Sequence, residues 1–77
     1  MIIIDVRTKE EYEMNHINNA MHHDVVDIMQ GVFPAINKDE EITLYCGSGS
    51  RSKIAKMILE EVGFKRITDA GSISNLK

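Results

Sequence analysis

The sequence predicts an α/β fold in which a small parallel β-sheet is flanked by helices on both faces. Two features indicate this fold. Short strand-like runs alternate with helix-like segments along the chain, and neighbouring parallel strands need crossover connections, which are usually helices. A length of 77 residues allows only one modest hydrophobic core. We therefore expect residues 1–77 to form one domain.

The first strand and the first helix have clear sequence signals. Residues 2–6 form an apolar, largely β-branched run, which is typical of a strand buried on both faces of a parallel sheet. Thr8 and Glu11 form a capping-box pattern, because the Thr8 side chain can accept from the third helical amide while Glu11 reaches back. We expect a short helix from this cap to Met14.

The middle of the chain predicts a very short strand, a second short helix and a longer strand. Residues 20–22 are the short strand, and Asp24 is placed to cap a helix that ends near Met29. A polar connection at residues 37–40 then leads into residues 41–45, whose alternating pattern is typical of a strand.

The last third of the chain predicts one longer helix and one final strand. Residues 52–62 follow a turn rich in glycine and serine, and Gly63 suits the left-handed position that ends a helix. Residues 64–68 predict the last strand, whereas residues 69–77 show no clear pattern. The apolar stripe of the helix consists of Ile54, Ala55, Ile58, Leu59 and Val62.

Charge and composition exclude several classes of partner. The hydrophobic fraction of 43% is ordinary for a folded globular protein. Nine Lys and Arg are scattered among twelve Asp and Glu, for a net charge of -3, so we expect no nucleic-acid partner, which would need a basic face. The apolar opening stops at Asp5, far short of a membrane span or a signal peptide. We expect a soluble monomer, cytoplasmic or periplasmic.

A single cysteine, Cys46, lies at the predicted carboxyl edge of the sheet and cannot form an internal disulfide. The loop after it leads into a helix whose first amides lack partners. Gly47 and Gly49 allow these amides to converge on one anion, and the natural anion is the Cys46 thiolate. Arg51 adds a fixed positive charge that suits an oxyanion, and Ser48, Ser50 and Ser52 add hydroxyl donors.

The same residues have a purely structural interpretation. Free cysteine is among the most buried residue types, so Cys46 can equally end a core strand as a small apolar side chain, with a flexible turn after it. The physical chemistry of the loop alone does not favour one interpretation over the other.

A family resemblance favours catalysis. In order and spacing, the chain resembles the rhodanese family over nearly its whole length. The matching residues are Ile4, Asp5, Val6, Arg7, Glu11, Tyr12, His16, Ile17, Ala20, Tyr45, Cys46, Gly49, Arg51 and Ser52. The loop looks like the six-residue active-site loop of single-domain thiosulfate sulfurtransferases. The resemblance implies a rhodanese-like fold, a persulfide on Cys46 and loop amides that surround the sulfur.

Loop details refine this resemblance. Related phosphatases and arsenate reductases place five residues between cysteine and arginine, whereas only four precede Arg51 here, and the shorter loop favours sulfur over phosphate. Many relatives carry a basic residue directly after the cysteine, where this chain has Gly47, so that Arg51 is the only charge in the loop. The chain looks like the short, phage-shock type of rhodanese.

Other chemistry-bearing residues are interpreted as structural. Asp5 and Arg7 are expected to pair with neighbouring groups or with backbone groups at the end of a strand. The spacing of the histidines matches no zinc signature, and the glycine pattern matches no nucleotide fingerprint, so we expect neither metal nor cofactor. The remaining aromatic and methionine side chains are expected to fill the core. They are Tyr12, Phe33, Phe64 and the five Met residues.

The predicted function is therefore sulfur transfer from thiosulfate to cyanide or a thiol acceptor through a persulfide on Cys46. Residues 47–51, which are Gly47, Ser48, Gly49, Ser50 and Arg51, are the predicted substrate-binding residues. Two alternatives remain open: a sulfur-carrier or binding module with the same fold but no efficient turnover, and a phosphatase or arsenate reductase.

Overall fold

A computed structural model describes all residues from 1 to 77. Four strands alternate with three α-helices, and a 3₁₀ helix ends the chain. In chain order these elements are β1 (Ile2–Asp5), α1 (Lys9–Met14), β2 (Met21–His22), α2 (Val25–Met29), β3 (Glu41–Cys46), α3 (Ser50–Glu61), β4 (Arg66–Ser72) and the 3₁₀ helix (Ile73–Leu76).

The four strands form one parallel sheet in the order β2-β1-β3-β4, which confirms the predicted fold class. Asp5 is in register with His22 on one side and with Tyr45 on the other. Cys46 pairs with Ser72 across a register shift that follows Leu44. Because all strands run in one direction, their carboxyl ends meet at the same edge of the sheet, and this edge carries Cys46.

The hydrophobic core lies between one face of the sheet and the helices α2 and α3. Alternate β3 side chains point to the same face, and three of them join the core with residues of α2 and α3. The main buried members are Ile4, Ile42, Leu44, Cys46, Val25, Ile28, Ala55 and Leu59. The carboxyl end of the opposite face is covered by the turn after α1, where the Ile17 amide donates to the Tyr45 hydroxyl at 3.1 Å.

The predicted helix caps are present. Thr8 and Glu11 form the complete capping box, the Asp24 side chain accepts from the Val26 amide at 2.9 Å, and Gly63 has a φ of +108°. Each cap depends on groups within a few residues of one another, so the local sequence is sufficient to predict it.

Several predicted boundaries are wrong. Helix α3 begins at Ser50 rather than at residue 52, because Gly49 takes a left-handed conformation at the N-cap. Strand β4 begins at Arg66 and continues to Ser72, since pairing with β3 extends it beyond its apolar part. Ile54 is exposed although it belongs to the predicted apolar stripe.

The prediction that the methionines fill the core is also wrong. All five are exposed, and so is Phe33, whereas Phe64 is buried as expected. The core space is already taken by isoleucine, valine and leucine from the strands and from the inner faces of α2 and α3. None of the helices is long and apolar enough to span a membrane.

Candidate active site

The loop at the carboxyl end of β3 turns the chain from Cys46 into α3. Gly49 is the N-cap of α3 and has a φ of +103°, a conformation that a residue with a Cβ atom adopts only with strain. A Cβ atom on Gly49 would also lie 3.7 Å from the Gly71 Cα atom at the end of β4. The glycine therefore permits the sharp turn, whereas the contact at 3.7 Å is an ordinary van der Waals distance that would accommodate a Cβ atom.

The Cys46 sulfur lies inside this turn. Its Sγ atom accepts a hydrogen bond from the Gly49 amide at 2.9 Å and lies 3.4 Å from the Ser52 hydroxyl oxygen. The Ser52 hydroxyl in turn donates to the Gly49 carbonyl at 3.2 Å. Cys46 and Ser52 are both fully buried, so the sulfur is covered by its surroundings in this structure.

Two opposing effects act on the Cys46 thiol. Burial raises its pKa, whereas hydrogen bonds from the Ser52 side chain and from the amides of Ser52, Gly49 and Arg51 lower it. The net pKa is below its ordinary value, because amides at a helix N-terminus stabilise the thiolate. The loop amides thus converge on the sulfur.

The predicted loop residues occupy different positions around the sulfur. Ser48 and Ser50 are exposed, and neither side chain has a hydrogen bond to Sγ. Gly47 is half-buried, and a Cβ atom there would lie 3.0 Å from Arg51 Nη2. Among the hydroxyls, only that of Ser52, which lies one position beyond the predicted substrate-binding residues, is close to Sγ.

Arg51 reaches a partner that the sequence interpretation missed. Its Nη1 atom donates to Glu11 Oε1 at 2.6 Å and its Nη2 atom to Oε2 at 3.2 Å. The hydrogen bond from Arg51 is the main reason that the pKa of Glu11 falls from 4.5 to about 2. The same pair raises the pKa of Arg51. The predicted parallel sheet already placed Arg51 and Glu11 near each other, because the turns after β1 and β3 lie at the same edge of such a sheet.

Asp5 and Arg7 form a buried pair beside the loop, in agreement with their structural interpretation. Arg7 Nη2 donates to Asp5 Oδ2 at 2.7 Å and to the Asn15 carbonyl at 2.6 Å. The hydrogen bond with Asp5 raises the pKa of Arg7. The guanidinium lies 5.6 Å from the centre of the Tyr45 ring, and burial raises the pKa of Tyr45 to about 12. These contacts hold the side chains of Asp5, Arg7 and Tyr45 together at the carboxyl edge of the sheet.

The histidines and the cavity are separate from Cys46. His16 bonds the Tyr12 carbonyl at 2.7 Å, His22 the Arg7 carbonyl at 2.7 Å and His23 the Val32 carbonyl at 2.8 Å. A cavity of about 470 Å³ lies between the first residues of β3 and β4, at the opposite end of the strands from the loop. The loop geometry, rather than this cavity, therefore identifies the candidate active site.

Comparison with known proteins agrees with the fold. The profile of the rhodanese-like domain matches residues 1–74. The Escherichia coli K12 protein named thiosulfate sulfurtransferase PspE is 30% identical over 74 residues, which are 95% of this chain and 71% of that protein. The Bacillus subtilis protein YrkF, named as a candidate sulfur carrier protein, is 35% identical over 65 residues, which are 84% of this chain and 35% of that protein.

Solved structures show the same architecture. A rhodanese with anions from E. coli superposes with a TM-score of 0.85 at 29% identity, and the match covers 96% of this chain and 88% of that one. The family match spans every strand and the whole of the Cys46 loop. The chain therefore belongs to the rhodanese-like domain family.

Proposed function

We propose that this chain is a thiosulfate sulfurtransferase that carries sulfane sulfur as a persulfide on Cys46. The observation that carries the proposal is the hydrogen bond of 2.9 Å from the Gly49 amide to Cys46 Sγ, at the N-terminus of α3. Such an environment favours the thiolate, which is the form of cysteine that attacks a sulfur atom. Family membership and the similarity to a protein named as a thiosulfate sulfurtransferase support the same reaction.

The proposed reaction is a double displacement. The Cys46 thiolate attacks the outer sulfur of thiosulfate, a new S–S bond forms, and the S–S bond of thiosulfate breaks. Sulfite leaves with the bonding electron pair, and Cys46 keeps one added sulfur atom as a persulfide anion. Cyanide or a thiolate then attacks that sulfur, which produces thiocyanate or a new persulfide and returns the Cys46 thiolate.

The loop is proposed to bind the donor. The backbone amides of residues 47–51 surround the transferred sulfur, which occupies the position next to Sγ that an anion prefers. The exposed hydroxyls of Ser48 and Ser50 are available to the sulfonate oxygens of thiosulfate. Arg51 is the only cation in the loop and attracts the donor as a whole.

Mass spectrometry after treatment with thiosulfate tests the persulfide. We expect one added sulfur atom on Cys46 in the wild type and none in Cys46→Ser. An unmodified wild-type chain, or an adduct that survives Cys46→Ser, would contradict the proposal.

Thiocyanate formation tests turnover, which we expect to be lost in Cys46→Ser and strongly weakened in Arg51→Ala.

A sulfur-carrier or binding module is the second candidate. Two observations favour it: Cys46 is fully buried, and Arg51 is already paired with Glu11. The similarity to YrkF, which is named as a candidate sulfur carrier, points the same way. Absence of thiocyanate formation in the wild type, together with persulfide transfer to a thiol, would favour this module. Hydrolysis of an aryl phosphate that depends on Cys46 would favour a phosphatase instead.

A further inference from the structure

Arg51, the single cation of the Cys46 loop, is already bound in the resting protein. Its guanidinium makes two hydrogen bonds to the Glu11 carboxylate, at 2.6 Å and 3.2 Å. The Arg51 and Glu11 side chains are 32% and 37% exposed. The pair therefore lies at the protein surface, where an approaching donor meets both charges.

The Glu11 carboxylate is also fixed by its own helix. Its Oε1 atom accepts from the Thr8 amide and from the Thr8 hydroxyl, both at 3.1 Å, as part of the capping box of α1. The first turn of α1 therefore holds the carboxylate beside the first turn of α3. An incoming anion has to compete for Arg51 with a carboxylate that the Thr8 amide and hydroxyl keep in place.

The ion pair lies against Gly47, the residue that follows the nucleophile. A Cβ atom on Gly47, the residue that follows Cys46, would lie 3.0 Å from Arg51 Nη2 and 3.7 Å from Glu11 Oε2. Residues 47–50 are uncharged, and the neighbouring Arg7 is bound to Asp5. The formal charges of Arg51 and Glu11 therefore cancel at the entrance to the loop, although the loop contains an arginine.

We infer that Glu11 is a specificity-determining residue, which weakens the binding of dianionic sulfur donors relative to donors that carry one charge or none. The inference rests on the proposed sulfur transfer. Glu11 repels any anion that Arg51 attracts. Because a Coulomb energy scales with the product of the charges, a dianion loses twice as much from this repulsion as a monoanion. The favoured donor class includes monoanionic thiosulfonates and alkyl persulfides.

Thiosulfate and methanethiosulfonate are a matched pair of donors for the test. Both present an outer sulfur on a sulfonyl group, but thiosulfate has two negative charges and methanethiosulfonate has one. With either donor, the Cys46 thiolate bonds to the outer sulfur and the S–S bond of the donor breaks. The leaving group, sulfite or methanesulfinate, takes the bonding electron pair, so the two reactions differ mainly in charge.

Steady-state kinetics of Glu11→Gln is the main experiment. Glutamine keeps the capping box but removes the negative charge. We expect kcat/KM to rise about tenfold for thiosulfate and about threefold for methanethiosulfonate, in line with their charges. Glu10→Gln is the matched control, since Glu10 lies on the same helix and has no ion pair with Arg51. This variant should leave the ratio of kcat/KM for thiosulfate to kcat/KM for methanethiosulfonate unchanged.

Two kinetic results would overturn the inference. If kcat/KM of Glu11→Gln falls for both donors, Glu11 only positions Arg51. If both values rise by the same factor, the charge of the donor is not what Glu11 discriminates. Thermal unfolding of both variants verifies that they are folded before the comparison is made.

Anion protection of Cys46 separates this inference from the proposed function. Sulfate and methanesulfonate are unreactive analogues with two charges and one charge, and their binding is measured as protection of Cys46 from iodoacetamide. We expect Glu11→Gln to strengthen protection by sulfate more than protection by methanesulfonate. If protection changes in this way but no persulfide forms, the proposed function fails and the inference stands. If a persulfide forms but protection by both anions is unchanged, the inference fails and the function stands.

Discussion

The Sγ atom of Cys46 and the hydroxyl oxygen of Ser52 lie 3.4 Å apart in a region that solvent does not reach. The hydroxyl also lies within hydrogen-bond distance of the Gly49 carbonyl. With a neutral thiol, Cys46 donates to Ser52 and Ser52 donates to the carbonyl. With a thiolate, the hydroxyl can rotate and donate to sulfur. Ser52 therefore accommodates both protonation states of Cys46.

Substitution of Ser52 by Ala should raise the pKa of the Cys46 thiol, because the side chain of Ser52 is the largest of the groups that lower it against the opposing effect of burial. A hydrogen bond to a charged group contributes about 1.5–3 kcal/mol, so the thiolate fraction should reach one half only at a higher pH than in the wild type. The pH dependence of iodoacetamide alkylation measures this fraction. The Ser50→Ala variant, which removes an exposed hydroxyl, should follow the wild-type curve; a Ser52→Ala curve that coincides with it would contradict the prediction.

Substitution of Gly49 by Ala should cost about 1–2 kcal/mol of stability, because an L-residue is strained at a φ of +103°. It should also slow Cys46 alkylation, since relief of the strain rotates the Gly49 amide away from Sγ. Gly31→Ala is the matched control, because Gly31 has a φ of +88° and no atom within 4 Å of an added Cβ. That variant should lose similar stability in urea unfolding and keep wild-type Cys46 reactivity. Equal reactivity in both variants would argue against a role for the Gly49 amide.

Substitution of Asp5 by Asn should destabilise the protein by about 3–5 kcal/mol, because it leaves the buried Arg7 guanidinium without a counter-charge. The Asp5 and Arg7 side chains are 0% and 7% exposed. The Lys65–Asp39 pair is largely exposed, so Asp39→Asn should cost less than about 1 kcal/mol. Urea unfolding compares the two variants, and equal losses would show that the Asp5–Arg7 pair contributes little.

The Glu11 carboxylate should make stability sensitive to acid. The hydrogen bond from Arg51 lowers the pKa of Glu11 from 4.5 to about 2. A lowered pKa in the folded state contributes stability that is fully present above pH 4.5 and disappears as the pH falls towards 2. Because both side chains are about one-third exposed, the contribution should stay within about 1 kcal/mol.

Urea unfolding of the wild type and of Glu11→Gln, from neutral pH down to about pH 3, measures this contribution. The stability difference between the two proteins should be constant near neutral pH and shrink as the solution becomes more acidic. Glu10→Gln, which lies on the same helix without an ion pair, is the control. If the difference in free energy of unfolding between the wild type and Glu11→Gln instead grows as the pH falls, this mechanism is contradicted.

Local signals in the sequence were sufficient for much of the fold. The capping box of Thr8 and Glu11, the Asp24 cap and the left-handed Gly63 each depend on neighbours a few residues away, and all three are present. The boundaries of β4 were missed because its last residues are held by pairing with β3 rather than by their own apolar character. The exposed methionines were misjudged because composition alone does not tell whether a side chain lies in the core or at the surface.

The sequence by itself determined the parallel α/β fold and the position of Cys46 at the carboxyl edge of the sheet, before a glycine-containing turn and a helix. These features follow from strand and helix periodicity and from residue order along the chain. Only the tertiary structure decided what surrounds the sulfur and what neutralises Arg51. Arg51 and Glu11 are 40 residues apart in the chain, and they meet because β1 and β3 are neighbours in the sheet. The charge of the site is therefore a property of strand order, which no local pattern encodes.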